Sequence, residues 1–176
     1  MKRKILATLL VVIAIAGAAA YLFYAPAGVN LLIIDPPPEQ YSSNIGAIYV
    51  TFTKVEVHAA NAGNESGWHT IATNATVNLL TVLNVSKIIG NGQLSPGKYT
   101  EIRLFVSAAT VTLLGVTLTY TIPSGAQTGI KVVIAGGFQV YGGQSTNIQL
   151  DFAFRNSEII SNTTGNLSPV VSATIV

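Results

Sequence analysis

The sequence predicts a mainly β protein: a two-sheet antiparallel β-sandwich with one short helix, preceded by an N-terminal apolar helix. Three observations carry that prediction. After residue 28, eight or nine short runs alternate apolar and polar residues between turn signals, the pattern of packed antiparallel sheets. A charge-free run from Ile5 to Tyr24 follows Lys2-Arg3-Lys4. Charged residues are only 9% of the 176 and apolar ones 49%. A disordered charged tail, a coiled coil or a polybasic nucleic-acid binder needs far more charge, so no nucleic-acid partner is expected.

The apolar run sets the address. Twenty helical residues span roughly 30 Å, the hydrocarbon thickness of a bilayer. Lys2-Arg3-Lys4 stays on the cytoplasmic side, which sends everything after Tyr24 outward. A secretory signal peptide is the competing reading, with Gly17 breaking the helix and Ala18-Ala19-Ala20 as an A-x-A-like cleavage site. Residues 1–24 are therefore a signal peptide or a transmembrane anchor, 25–28 a linker, and 29–176 an extracytoplasmic sandwich. The chain has no cysteine, which excludes disulfides, thiolate metal sites and a lipid anchor on sulfur. Beyond the apolar run, six basic residues face seven acidic ones, a net charge of −1.

Each element has its own local signal. Val29 to Ile34 is a strand apolar on both faces, ended by Asp35-Pro36-Pro37-Pro38, a stiff crossover that cannot donate to a sheet. Ala47 to His58 is a long strand in which Ile48, Val50 and Phe52 alternate with Tyr49, Thr51 and Thr53. Its apolar phase then slips to Val55 and Val57, as a β-bulge makes it do. Trp68 to Ala72 pairs back on it as a hairpin. Asn78 to Ile89 reads as the short helix, with Asn78 as cap, Lys87 in the last turn and Gly90 as stop. Ile102, Leu104 and Val106 then alternate with Glu101, Arg103 and Phe105. Val116, Leu118, Tyr120 and Ile122 alternate with Thr117, Thr119 and Thr121, a threonine ladder suited to a wet face and to strand addition at an edge. Ile130 to Tyr141 and Ser145 to Phe154 flank Gly142-Gly143, read as a tight hairpin turn. Val170 to Val176 closes the chain.

At Leu94-Ser95-Pro96-Gly97-Lys98-Tyr99-Thr100 the turn into a strand is similar to prealbumin-like sandwiches of cell-surface proteins. A more specific set is Tyr49 to His58, Gly67-Trp68, Gly97 to Leu104, Pro123 to Lys131, Gly136-Gly137-Phe138 and Leu150-Asp151-Phe152. Together these resemble the exported prokaryotic domain-of-unknown-function family numbered 4382, over about Gly28 to Val176. The resemblance implies an extracytoplasmic β-sandwich and brings no catalytic residues. It also implies that many members are tethered through a lipidated cysteine, which leaves the N-terminal helix as the tether here.

Candidate chemistry is sparse. Five Asn-x-Ser/Thr acceptors, at Asn64, Asn74, Asn84, Asn162 and Asn166, stand against about two expected by chance at this composition, and point to glycosylation of an exported chain. Trp68, Tyr49 and Tyr141 are candidates for an aromatic platform that binds sugar. His58 and His69 across a hairpin, with Glu56, would make a metal site, but two surface histidines are the simpler reading, and neither a metal nor another cofactor is expected. Glu101 and Asp151 are expected to pair with Arg103 and Arg155. No nucleophile elbow or P-loop is present, so no catalytic residues are expected. The expected function is a non-catalytic cell-surface domain with a structural or adhesive role. Its partners would be the membrane (if the helix is uncleaved), envelope glycans or copies of itself. The alternatives are a filament subunit, with Tyr21-Leu22-Phe23-Tyr24 donated to a neighbour's sheet, and a carbohydrate-binding module.

Overall fold

The computed structural model describes residues 2–35, 41–63, 66–161 and 165–176. Helix α1 (Lys2–Tyr24) leads into β1 (Ala27–Ile34), β2 (Ile45–Ala59), β3 (Trp68–Asn78) and a 3-10 turn at Leu79–Thr81. There follow β4 (Lys87–Leu94), β5 (Gly97–Leu113), β6 (Val116–Tyr120), β7 (Ile130–Val140), β8 (Ser145–Ala153), α2 (Asn156–Ile160) and β9 (Val170–Ile175). One sheet has the order β4-β1-β8-β9; the other runs β3-β2-β5, with β6 and β7 end to end along the far edge of β5. This is the two-sheet sandwich expected from the alternation.

Alternate residues of each sheet meet in one core. Val29, Leu31 and Ile33 of β1 and Ile148, Leu150 and Phe152 of β8 face Ile48, Val50, Phe52, Ile102, Leu104 and Val106. Each such side chain contributes about 1.5–3 kcal/mol by leaving water. Phe52 and Phe152 meet edge to face across the layers, 5.3 Å between ring centroids. The expected slip in β2 is present: Val55 and Val57 take over the core side after Phe52, with register shifts against both neighbours. Tyr99 explains the Leu94–Thr100 motif. Its hydroxyl donates to the Ser95 carbonyl at 2.9 Å and its ring stacks on Phe138, which pins the β4–β5 turn as a tyrosine corner does.

Four expectations need correction. Residues 78–89 are not a helix. Asn78 does cap, accepting from the Leu80 N–H, but only one 3-10 turn follows, closed by Val82 as its C-cap, and Asn84 at φ 60° then turns the chain ahead of β4. Ile88 and Ile89 are β-branched and favour the strand, and Gly90 is a strand glycine rather than a helix stop. The short helix lies instead at α2. Gly142-Gly143 is a tight turn, with Gly143 at φ 67° and the Gln144 N–H donating to Tyr141 O, but not a hairpin: β7 stays in one sheet and β8 crosses to the other. The sheets are not wholly antiparallel, because β1 pairs with β8 in parallel. Finally, Tyr120 and Ile122 are buried as expected, whereas Val116 and Leu118 remain 59% and 40% exposed: β6 is an edge strand, and Leu118 lies one strand outside its partner Val111, which is fully buried. The proline crossover at 36–38 lies outside the described residues.

Candidate functional site

The richest cluster of polar chemistry lies on the outer face of the five-stranded sheet. The slip in β2 turns Lys54, Glu56 and His58 to that face, alternating with buried Val55 and Val57. Register then places Glu56 opposite Arg103, Arg103 opposite Lys131, and His58 between Trp68 and Glu101. The Arg103 guanidinium lies over the Trp68 ring with its carbon 3.9 Å from the centroid, a cation–π stack. The His58 ring sits beside Trp68 at 4.7 Å.

His58 serves the loop rather than a ligand. Its Nε2 lies 3.0 Å from Gly63 O and 2.9 Å from Ser66 O. Both partners are acceptors, so Nε2 carries the proton and donates to the two carbonyls. Gly67 makes this possible at φ 88°: a Cβ there would lie 2.2 Å from that of Ala62. Glu56, nearly buried, is held by Lys54 Nζ at 2.8 Å, the one ion pair among the described residues. The expected pairs Glu101–Arg103 and Asp151–Arg155 are therefore not formed. Arg103 is instead fixed by packing. Gly129, at φ 73°, ends the tight 123–129 turn over β5, where a Cβ would sit 2.5 Å from the Arg103 Cγ. The turn buries Arg103 Nε without a hydrogen-bond partner.

The other candidates disperse. His69 pairs with Val57 and so projects to the other side of the sheet from His58, its ring edge-on to Tyr99. The His58–His69–Glu56 set is not assembled, and no cluster of metal ligands exists among the described residues. The aromatic platform is not assembled either. Tyr49 lies nine residues along β2 from His58, roughly 30 Å away; Tyr141 is in the turn beside α1; the face of Trp68 is occupied by Arg103.

The geometry gains a context from comparison with known proteins. The family model described as a domain of unknown function, DUF4382, matches residues 26–169. The chain belongs to that family. No curated protein and no solved structure matches it.

In this DUF4382 domain a second cluster sits at the end of β1, away from α1. Asp35 is 3% exposed and accepts from the Tyr41 hydroxyl at 2.7 Å, while that oxygen accepts from Phe154 N–H at 3.2 Å. Burial pushes the Asp35 carboxyl up to about 6; the Tyr41 hydrogen bond opposes this and the nearby Asp151 charge adds to it. Burial raises Asp151 as well. The sequence showed Asp35 only as a strand stop. Of the Asn-x-Ser/Thr asparagines, Asn74, Asn84 and Asn166 are exposed, the first two at positive φ. Asn64 and Asn162 lie outside the described residues.

Where the domain meets its helix, the Tyr141–Gln144 turn packs directly on the end of α1. A Cβ on Gly142 would stand 2.3 Å from the Leu22 carbonyl oxygen and 2.9 Å from that of Phe23. Tyr21, Phe23, Tyr24 and Tyr141 are all exposed around this contact.

Proposed function

We propose that this protein is a membrane-anchored, extracytoplasmic β-sandwich with a non-catalytic structural or adhesive role in the cell envelope, carrying sugar on its exposed Asn-x-Ser/Thr sites. The observation that carries the reading is the contact between the Gly142 turn and the end of α1. A signal peptide is cut away and needs no fitted partner, whereas here a glycine lets backbone approach backbone. The candidate span Lys4–Tyr24 has a mean hydropathy of 2.5 and is wholly unburied, which suits lipid as its surroundings. The polar side chains also favour a non-catalytic role, since His58 and Glu56 are engaged in holding loop and strand. The exposed tip Leu114, Val116 and Leu118 lies at the other end of β5, which at 17 residues runs roughly 50 Å from the helix contact. That arrangement presents an apolar tip away from the membrane.

The donor-strand filament draws less support, because residues 21–24 are the last turn of α1 and the chain's own β1 fills the place between β4 and β8. Intact mass and N-terminal sequencing of protein extracted from native membranes test the proposal. The expected result is an uncleaved N-terminus and added glycan mass. A mature N-terminus at Tyr21 would overturn the anchor.

A further inference from the structure

We infer that Arg103 and Lys131 form a binding site for the oxyanion groups, carboxylate or sulfate, of an acidic polysaccharide. The inference rests on the reading of the domain as an adhesive envelope protein and names what it adheres to. Arg103 and Lys131 are directly opposite one another on β5 and β7, an arrangement that is destabilising for like charges unless something neutralises them. The carboxylate that could do so is engaged elsewhere: Glu56 faces Arg103 across the β2–β5 pair but is held by Lys54. Glu101, the other acid on this face, lies opposite His58 and Val133, and forms no ion pair with either cation.

Nor is Arg103 free to swing away. Its guanidinium is stacked on Trp68 at 3.9 Å, and its stem is covered by Gly129. The same cover buries Nε away from any ligand, which leaves the terminal guanidinium nitrogens to meet an anion through charge-assisted hydrogen bonds. A cation held still, desolvated on one side and flanked by a second cation, is prepared for a planar or tetrahedral oxyanion. The site is on the side of the sandwich rather than at the end where α1 leaves it. It stands six residues along β5 from Gly97, whose partner Val140 leads into the turn on α1, roughly 20 Å from the helix contact, where a polymer lying along the sheet reaches it. With single charges spaced along its length, a polysaccharide also gains from repeated weak contacts.

The test uses the full chain in nanodiscs of zwitterionic lipid, with binding read by biolayer interferometry at low and high salt. The probes are polygalacturonate for carboxylate, dextran sulfate for sulfate, uncharged dextran, inorganic sulfate, and anionic phosphatidylglycerol vesicles. Expected is binding to one or both acidic polymers, weakened by salt, with none to dextran. Arg103→Gln and Lys131→Gln should each weaken it about tenfold, and Arg103→Lys should fail to restore it, since a point charge lacks the fork and the stack. Lys131 is exposed, so Lys131→Gln leaves the fold intact even where Arg103→Gln disturbs it. Lys87→Gln, on the other sheet, should change nothing. Three outcomes overturn the inference: no acidic polymer binds, Lys131→Gln binds as well as the wild type, or only sulfate ion or vesicles bind. None of them bears on the anchor, which the N-terminal mass decides separately.

Discussion

At His58 one ring nitrogen holds the loop that follows β2. Two carbonyls, Gly63 O and Ser66 O, share the Nε2 proton, and a neutral hydrogen bond of this kind contributes about 0.5–1.5 kcal/mol. His58→Ala should destabilise the domain by about 1–3 kcal/mol in urea and open residues 60–67 to proteolysis. An unchanged midpoint with an unchanged digestion pattern would remove this role. From sequence His58 was legible only as a metal candidate, because a histidine's partners are backbone atoms that composition does not show. Asp35 carries a pH prediction. Its carboxyl is raised from an ordinary 3.8 to about 6, so between those values the unfolded chain has ionised and the folded one has not. Stability is full below the lower value and falls as pH rises through the upper one, by up to about 3 kcal/mol. Asp35→Asn keeps an oxygen for the Tyr41 hydroxyl and removes the charge. Urea midpoints should place it level with the wild type near pH 4 and above it near pH 7.5. Equal destabilisation at both would show that the charge is not what matters.

At the level of elements, the failure at residues 78–89 and the success at β2 have one cause. Strand alternation over Ile48–Phe52 is long enough to be unambiguous, and the slip to Val55 is written in the residues themselves. Over Asn78–Ile89, by contrast, Thr81, Asn84 and Lys87 fall three apart and mimic a helix, and what decides is a neighbour far away in sequence. Strand β4 must pass close to β3 to close one side of the sandwich. A Cβ on Gly90 would lie 2.3 Å from that of Ala72, and one on Gly92 would lie 2.9 Å from Ile71 O. Gly90→Ala should therefore cost about 1–3 kcal/mol through overpacking. Adding Ala72→Gly removes the opposing methyl and should restore part of the loss, despite the entropy a second glycine costs. Should the double variant in a denaturant titration be less stable than Gly90→Ala by the full cost of its own substitution, close approach is not the reason for the glycine.

For the whole molecule, the sandwich and the apolar span were legible because burial imposes period and length on the sequence. Which sheet each strand joins was not. Gly142-Gly143 makes the same local turn whether its flanking strands pair or part, and here it parts them so that the turn meets α1. The Arg103–Trp68 stack was hidden for a similar reason, since 35 residues separate its members and the register of β2 brings them together. The helix contact makes the last prediction. Gly142 is not at positive φ, so a side chain there meets no backbone strain and acts through space alone. Gly142→Leu must push α1 off the turn, because the obstacles are the Leu22 and Phe23 carbonyls and backbone cannot rotate out of the way as a side chain can. The core residues are untouched, so the thermal midpoint of the sandwich should stay where it is. What changes is the coupling: with the helix end displaced, Ala25, the one buried residue of the Tyr24–Pro26 connection, is freed, and chymotrypsin should cut after Tyr24 several-fold faster in nanodiscs. Equal cleavage of variant and wild type, with the midpoint unchanged, would mean that the anchor and the sandwich are joined by the chain alone and do not hold one another in place.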